Sequence, residues 1–175
     1  MSKIPEIIQL GNPFLRVMAQ PVQKIEDPSL QNLIQELITT TIDHNGVGMA
    51  APQVAQSLQL IIVASRPNPR YPQAPQMEPT AMINPRIVKH SGEPEKGWEG
   101  CLSVPGIRGL VPRYPQVAIE YTDINGQVCN QELTGFVARI FQHEYDHLQG
   151  IVFLDRVEST QEMITEQEYQ KLFAQ

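Results

Sequence analysis

Two histidines four residues apart, with a glutamate directly after the first, constrain this chain more than any other feature. His143-Glu144-Tyr145-Asp146-His147 is an H-E-x-x-H sequence. On a helix, positions i and i+4 share a face, and both imidazoles can bind one metal ion. The glutamate between them can then act as general base on water held by that ion. The flanks suit a helix: Thr134 stands at a capping position and Gly150 at a stop. Phe136, Val137, Ile140 and Phe141 mark a face for the core. Two surface histidines on an amphipathic helix would give the same letters, so the other ligands must decide.

The protease versions of this motif place a third ligand downstream. In the metzincin pattern a His follows the glycine by three residues. Here Gly150 is present, but Phe153 stands where that His belongs. Thermolysin-like sites take a downstream glutamate, and Glu158, Glu162, Glu166 and Glu168 are available. The sequence runs only to Gln175, which leaves little room for a second helical subdomain. The third ligand is therefore expected upstream. Glu99-Gly100-Cys101-Leu102-Ser103 offers a thiolate, a good ligand for zinc or ferrous iron, and Cys with two His is a known catalytic set. A buried core cysteine is the competing reading. Among the rivals, Cys129 is explained by packing in a hairpin strand. His44, near a helix end, and His90, beside a loop, read as solvated.

A third segment, Gly46-Val47-Gly48-Met49-Ala50-Ala51-Pro52-Gln53, lets a ligand approach the backbone closely. It lacks the Lys and Ser/Thr of a phosphate-binding loop. Taken alone, tight packing at a helix-to-strand turn is the favoured reading of this segment, and Gln53 is a candidate side-chain donor.

Composition narrows the class. A chain of 175 residues suits one domain, 1–175, with 41% apolar and 18% charged residues. A net charge of −6 argues against DNA, RNA or an anionic membrane as the main partner. No apolar run reaches membrane-spanning length, and the start Met1-Ser2-Lys3-Ile4-Pro5 lacks a signal-like region. Two cysteines make no disulfide framework, so a cytoplasmic location is expected.

The pattern predicts a helix from Asp27-Pro28 to Asn45-Gly46, with Leu30, Leu33, Ile34, Leu37, Ile38 and Ile42 at helical spacing. Strands are expected at 58–64, at 80–88 as an edge strand because of Pro85, and at 116–122. A return strand at 127–133 follows a turn at Asn125-Gly126. A proline-rich loop at 66–79 reads mainly as a connector. A short strand is expected at 151–154. A final helix begins at the capping box Thr165-Glu166-Gln167-Glu168, with Tyr169, Leu172 and Phe173 packing back on the body.

Taken in order, the three motifs resemble those of the peptide deformylase family: G-φ-G-φ-A-A-x-Q, E-G-C-L-S and H-E-φ-D-H. The resemblance covers essentially the whole chain, with Tyr145 departing from the usual aliphatic residue. It implies an α+β fold of antiparallel sheets around a central helix carrying the H-E-x-x-H, with a short C-terminal helix. It also implies a metal-dependent amide hydrolase that removes the formyl group from N-formylmethionyl nascent peptides and releases formate. Cys101, His143 and His147 look like the metal ligands. Glu144 looks like the base that helps metal-bound hydroxide attack the formyl carbon. Gln53 and the Leu102 N–H look like oxyanion donors, and Gly48, Val47 and Arg108 like substrate-contacting positions.

Glu99 and Asp146 are candidates to orient a ligand histidine, and Arg113 to pair with Glu99. The family's transient proximity to the ribosome is retained as an expectation. Docking on ribosomal RNA through a basic C-terminal helix is not, because the tail holds Asp155, Glu158, Glu162, Glu166 and Glu168 against Arg156 and Lys171. The rival readings are a zinc endopeptidase, weakened by Phe153, and a silent metal-binding protein, which would need neither Glu144 nor Gln53. A thiol redox protein ranks lower because there is no C-x-x-C.

One divalent ion is implied, Fe2+ first, with Zn2+, Ni2+ or Co2+ able to occupy the site. A thiolate beside ferrous iron is open to oxidation. Activity should therefore be lost in air and restored by anaerobic metal replacement; air-stable activity with zinc and no response to iron would overturn this expectation.

Overall fold

The computed structural model describes residues 5–173. Residues 1–4, where the sequence reads as lacking a signal region, and 174–175 lie outside the described residues. The first long element is helix α1, Pro28–Asp43, and it begins as its sequence dictates. Asp27 accepts a hydrogen bond from the Ser29 N–H, and Pro28 occupies the first turn, where no N–H is needed. Strands β1 (Gly48–Ala50), β2 (Leu60–Val63), β3 (Thr80–Ser91), β4 (Glu95–Cys101), β5 (Val104–Arg113), β6 (Gln116–Thr122) and β7 (Val128–Thr134) follow. Helix α2 (Gly135–Leu148), strand β8 (Met163–Thr165) and helix α3 (Glu166–Phe173) complete the order. The strands form two antiparallel sheets, β1-β2-β3-β6-β7 and β4-β5-β8.

Alternation along β2 explains the layering. Leu60 and Ile62 join a core with Leu30, Ile34 and Leu37 of α1. Ile61 and Val63 face the opposite way, into a core with Ala138, Ile140 and Phe141 of α2. Successive strand residues point to opposite faces, so a strand apolar at every position must be covered on both sides. Helix α2 thus lies inside the protein. Side chains also tie it to β4 and β5, as in the Arg139 bonds to the Glu95 and Val111 carbonyls, 2.7 and 2.8 Å. It ends where Gly150 takes φ +72°, with a would-be Cβ only 2.6 Å from the Arg16 carbonyl oxygen. Glycine is required there on both counts.

Several expectations need correction. Strand β3 is interior, paired with β2 on one side and β6 on the other. Pro85 is accommodated because the register shifts between Ile83 and Arg86, and Asn84 sits at φ +50°. The Asn84 side chain replaces ladder bonds, accepting from the Val22 N–H at 2.8 Å and donating to its carbonyl at 3.0 Å. Such a bulge removes the proline from the ladder. Residues 151–154 do not form a strand. Phe153–Arg156 is a 3-10 turn in which Asp155 accepts from the Val152 N–H. Thr134 makes no side-chain cap at the start of α2. The return strand of the hairpin lies one residue further on than expected, since Asp123 accepts from the Asn125 and Gln127 N–H groups and widens the turn.

Helix α3 is held at one end. Thr165 Oγ1 accepts from the Glu168 N–H, and Tyr169 meets Trp98 edge-on at 6.0 Å. Leu172 and Phe173 stay exposed, and Tyr169 is the residue of α3 that packs on the body. The tail's acids are taken up by the protein's own cations: Asp155 by Arg16, Glu158 and Glu162 by Lys96, Glu166 by Arg108, and Glu168 by Lys171. Among the described residues, no helix is long and apolar enough to cross a membrane.

The Glu166–Arg108 pair gives α3 a pH-dependent hold. The Arg108 bond, opposed in part by burial, keeps the Glu166 carboxyl below its ordinary value of 4.5. Its contribution to stability is therefore complete above that value and is lost as pH falls through the lower folded one. Glu166→Gln should lower Tm at pH 7, and the difference from the parent should shrink as pH falls below 4.5. A difference constant with pH would overturn the assignment.

Candidate metal centre and active site

Helix α2 places His143 and His147 one turn apart, both buried, with ring centroids 5.2 Å apart. The hairpin from β4 to β5 brings Cys101 to them. One donor atom from each of Cys101, His143 and His147 lies within 4.8 Å of the others. Cys101 Sγ is 3.4 Å from His147 Nε2. His143 Nδ1 is engaged by Glu99 Oε2 at 2.9 Å, which leaves Nε2 for the centre and sets the tautomer. The Phe153 ring lies 6.1 Å from the His143 ring, with the two planes 21° apart. A soft thiolate and two imidazoles suit Zn2+, Fe2+ and related ions, so this donor set fits the metal that the motif implies.

The electrostatics follow from burial and from one ion network. Glu99 receives Arg113 Nε at 2.9 Å, Arg113 Nη2 at 3.1 Å, Arg139 Nη1 at 3.0 Å and His143 Nδ1 at 2.9 Å. Burial alone would raise its pKa. The Arg113 charge and the bonds from His143 and Arg113 outweigh that and hold it far below the carboxylate range. Burial likewise opposes a charged His143, yet hydrogen bonds to Cys101 and Glu99 carry its pKa well above normal. Burial, then the His143 and Arg113 charges, push His147 well below normal. Burial drives Glu144 up to about 7, with Glu99 adding to the rise. The Glu144 Oε2 atom is buried and has no hydrogen-bond partner among the described residues.

The glycine-rich segment forms the opposite wall. Gly48 opens β1, the edge strand of the larger sheet, so one side of its backbone is left unpaired by neighbouring strands. A Cβ on Gly48 would lie 2.7 Å from Glu144 Oε1 and 2.8 Å from Ile140 Cγ2. Gln53 Oε1 accepts from the Ala50 N–H at 2.9 Å, which turns Nε2 toward Cys101 Sγ, 3.5 Å away, and Ser103 Oγ, 3.2 Å away. Val47, Gly48, Gln53, Cys101, Leu102, His143 and Glu144 all line one cavity.

Arg108 does not reach that cavity. It is fully buried, bound through Nε and Nη2 to Glu166 at 2.6 and 3.1 Å and through Nη1 to the Tyr71 hydroxyl at 3.1 Å. Of the two candidates to orient a histidine, Glu99 does so. Asp146 instead binds Arg113 at 2.6 Å and Arg156 at 2.8 Å. The loop at 66–79 does more than connect strands, since Arg70 and Tyr71 line the cavity beside Trp98 and Phe136. Arg139 was also missed; its place four residues before His143, on the same helical face, was the available signal.

A buried cysteine from β4 beside the two histidines of an H-E-x-x-H helix, with a carboxylate and an oriented amide lining the same cavity, defines the site of a metal-dependent hydrolase. The polypeptide deformylase family model matches residues 4–163. The chain is 66% identical over 166 residues to peptide deformylase 2 of Nostoc sp. strain PCC 7120, spanning 95% of this chain and 93% of that relative. Its fold is similar to a class I type b peptide deformylase from Acinetobacter baumannii solved with Met-Ala-Ser bound. That match has a TM-score of 0.87 and 45% identity, covering 90% of this chain and 100% of that one. A peptide deformylase from Synechococcus elongatus in complex with actinonin matches at TM-score 0.81 and 36% identity, over 93% of this chain and 84% of that one. The protein belongs to the polypeptide deformylase family, and it is an enzyme, a metal-dependent hydrolase of protein biosynthesis.

Gly48→Ala tests the wall. The added methyl has no room beside Glu144 and Ile140, and overpacking of this kind costs about 1–3 kcal/mol. The variant should fold with a lower Tm and turn over at least about tenfold more slowly, because the methyl displaces the Glu144 side chain at the cavity wall. Parent-like kinetics would show that Glu144 yields freely.

Proposed function

We propose that this enzyme removes the formyl group from N-formylmethionyl peptides, with Glu144 as general base and Cys101, His143 and His147 holding one divalent ion. The observation that carries the reading is Glu144 itself, a buried carboxylate with a free oxygen beside the three ligand side chains. A bound ion would acidify a water molecule and polarise the formyl carbonyl. Glu144 takes the proton from the attacking water and returns it to the leaving amine. A carboxyl with a pKa of about 7, which a nearby cation would lower, suits both transfers. The Gln53 amide, fixed by Ala50, donates to the oxygen on which negative charge grows, together with the Leu102 N–H.

The peptide lies along the free edge of β1, pairing with the backbone at Gly48, as an extended chain adds to a sheet edge. Val47 contributes to the apolar wall of the methionine slot. Arg108 acts from behind that wall by holding Tyr71 at the cavity rim. Fe2+ is the proposed native ion, as the family resemblance implies; donor softness by itself suits zinc as well. The chain works as one catalytic domain in the cytoplasm, near the ribosome in passing. Its acidic tail, paired to its own body, gives no basic surface for docking.

The test is formate release from formyl-Met-Ala-Ser by anaerobically Fe2+- or Ni2+-loaded protein. The parent should release formate, and Glu144→Ala with full metal content should release very little. Gln53→Leu should retain metal and lose roughly 10²–10³ in kcat, the worth of one oxyanion donor. A folded, metal-loaded parent that releases no formate would refute the proposal.

A further inference from the structure

Arg139 stands at the wall of the cavity but apart from the three ligands, and the chemistry above gives it no part. Its side chain is 16% exposed, and its guanidinium is divided between two tasks. It binds the carbonyls of Glu95 at 2.7 Å and Val111 at 2.8 Å, bridging β4 and β5 to helix α2. The Nη1 that reaches Val111 also reaches Glu99 Oε1 at 3.0 Å. The other oxygen of that carboxylate, Oε2, holds His143 Nδ1. Glycine at position 97 makes the arrangement possible, because a Cβ there would lie 2.7 Å from the guanidinium carbon.

We propose that Arg139 is a positioning residue for the metal ligand His143, acting through Glu99. This rests on the metal-centre reading above. Arg113 grips Glu99 from one side, donating to both oxygens from β5. Arg139 donates to Oε1 from helix α2 itself, one turn before His143. Carboxylate and imidazole are thereby referenced to the same helix. With both arginines in place, Oε2 is held in line with the Nδ1–H, and the opposite nitrogen is aimed at the centre. Partners of this kind typically govern metal retention roughly 10- to 100-fold. A bridge between strands and helix alone would govern only stability, and the two roles are separable.

Full-length protein is loaded anaerobically with Co2+, and its visible absorption is followed after addition of excess EDTA. Two variants, Arg139→Gln and Arg139→Lys, are compared with the parent and with Ile119→Val, a conservative core change in β6 that removes no bond to Glu99. Arg139→Gln should release Co2+ roughly tenfold faster than the parent, and Arg139→Lys at an intermediate rate. Ile119→Val should release at the parent rate despite a lower Tm. In the Co2+ protein the shifted His143 Nδ1–H resonance should persist in Arg139→Lys and exchange faster with water in Arg139→Gln. Arg139→Lys is the milder change and keeps the test available if the glutamine variant does not fold. Parent-like release from the arginine variants, with only Tm reduced, would overturn the inference alone. A parent that takes up no Co2+ would overturn the metal-centre reading and this inference together.

Discussion

Burial of the Glu99 carboxylate is the constraint on which the rest depends. A charge removed from water is tolerated only when its oxygens are met by donors, and Glu99 is met by two arginines and a histidine drawn from β5 and α2. That set of bonds locks the smaller sheet to the interior helix and fixes a histidine at the cavity wall. Removing any one partner of such a network leaves the others buried and uncompensated, typically at a cost of about 3–5 kcal/mol. Structural integrity and ligand geometry therefore rest on the same few atoms.

An interior helix with a polar face needs a partner for each polar group. Gln142 binds the Tyr114 backbone in both directions, and Asp146 is shared between Arg113 and Arg156. The apolar side of α2 fills the core under β2 and β6. On this helix, the buried side-chain atoms left without a partner among the described residues are both at the site: Glu144 Oε2 and His147 Nδ1. Buried polar groups are usually satisfied, so the Glu144 carboxylate at the cavity wall stands out.

Local patterns were legible where a local force decides. The Asp27-Pro28 start of α1, the alternation of Val117, Ile119 and Tyr121 in β6, and the reach of α2 from residue 135 to its stop at Gly150 all follow from capping, period and backbone freedom. The misses arose where a distant partner overrode the local signal. Pro85 argued for an edge strand, but a bulge filled by Asn84 and Val22, 62 residues apart, let β3 run through the middle of the sheet. Residues 151–154 are a short apolar run that reads as a strand, yet Asp155 draws the chain into a 3-10 turn over the His143 ring.

By itself the sequence determined the chemistry and its order: a thiol, two imidazoles four residues apart, a carboxylate between them and a side-chain amide upstream. Donor type is a property of the residue, and the i,i+4 spacing is a property of the helix, so neither needs the fold. Only the tertiary structure decided which carboxylate, Glu99 or Asp146, orients His143. It also decided that Asp146 is taken by Arg113, and that Arg108 is spent on Glu166 and Tyr71 behind the cavity wall. Those pairings join residues 33 to 58 positions apart. Which of them form is settled by how two sheets close around one helix, and no local period carries that information.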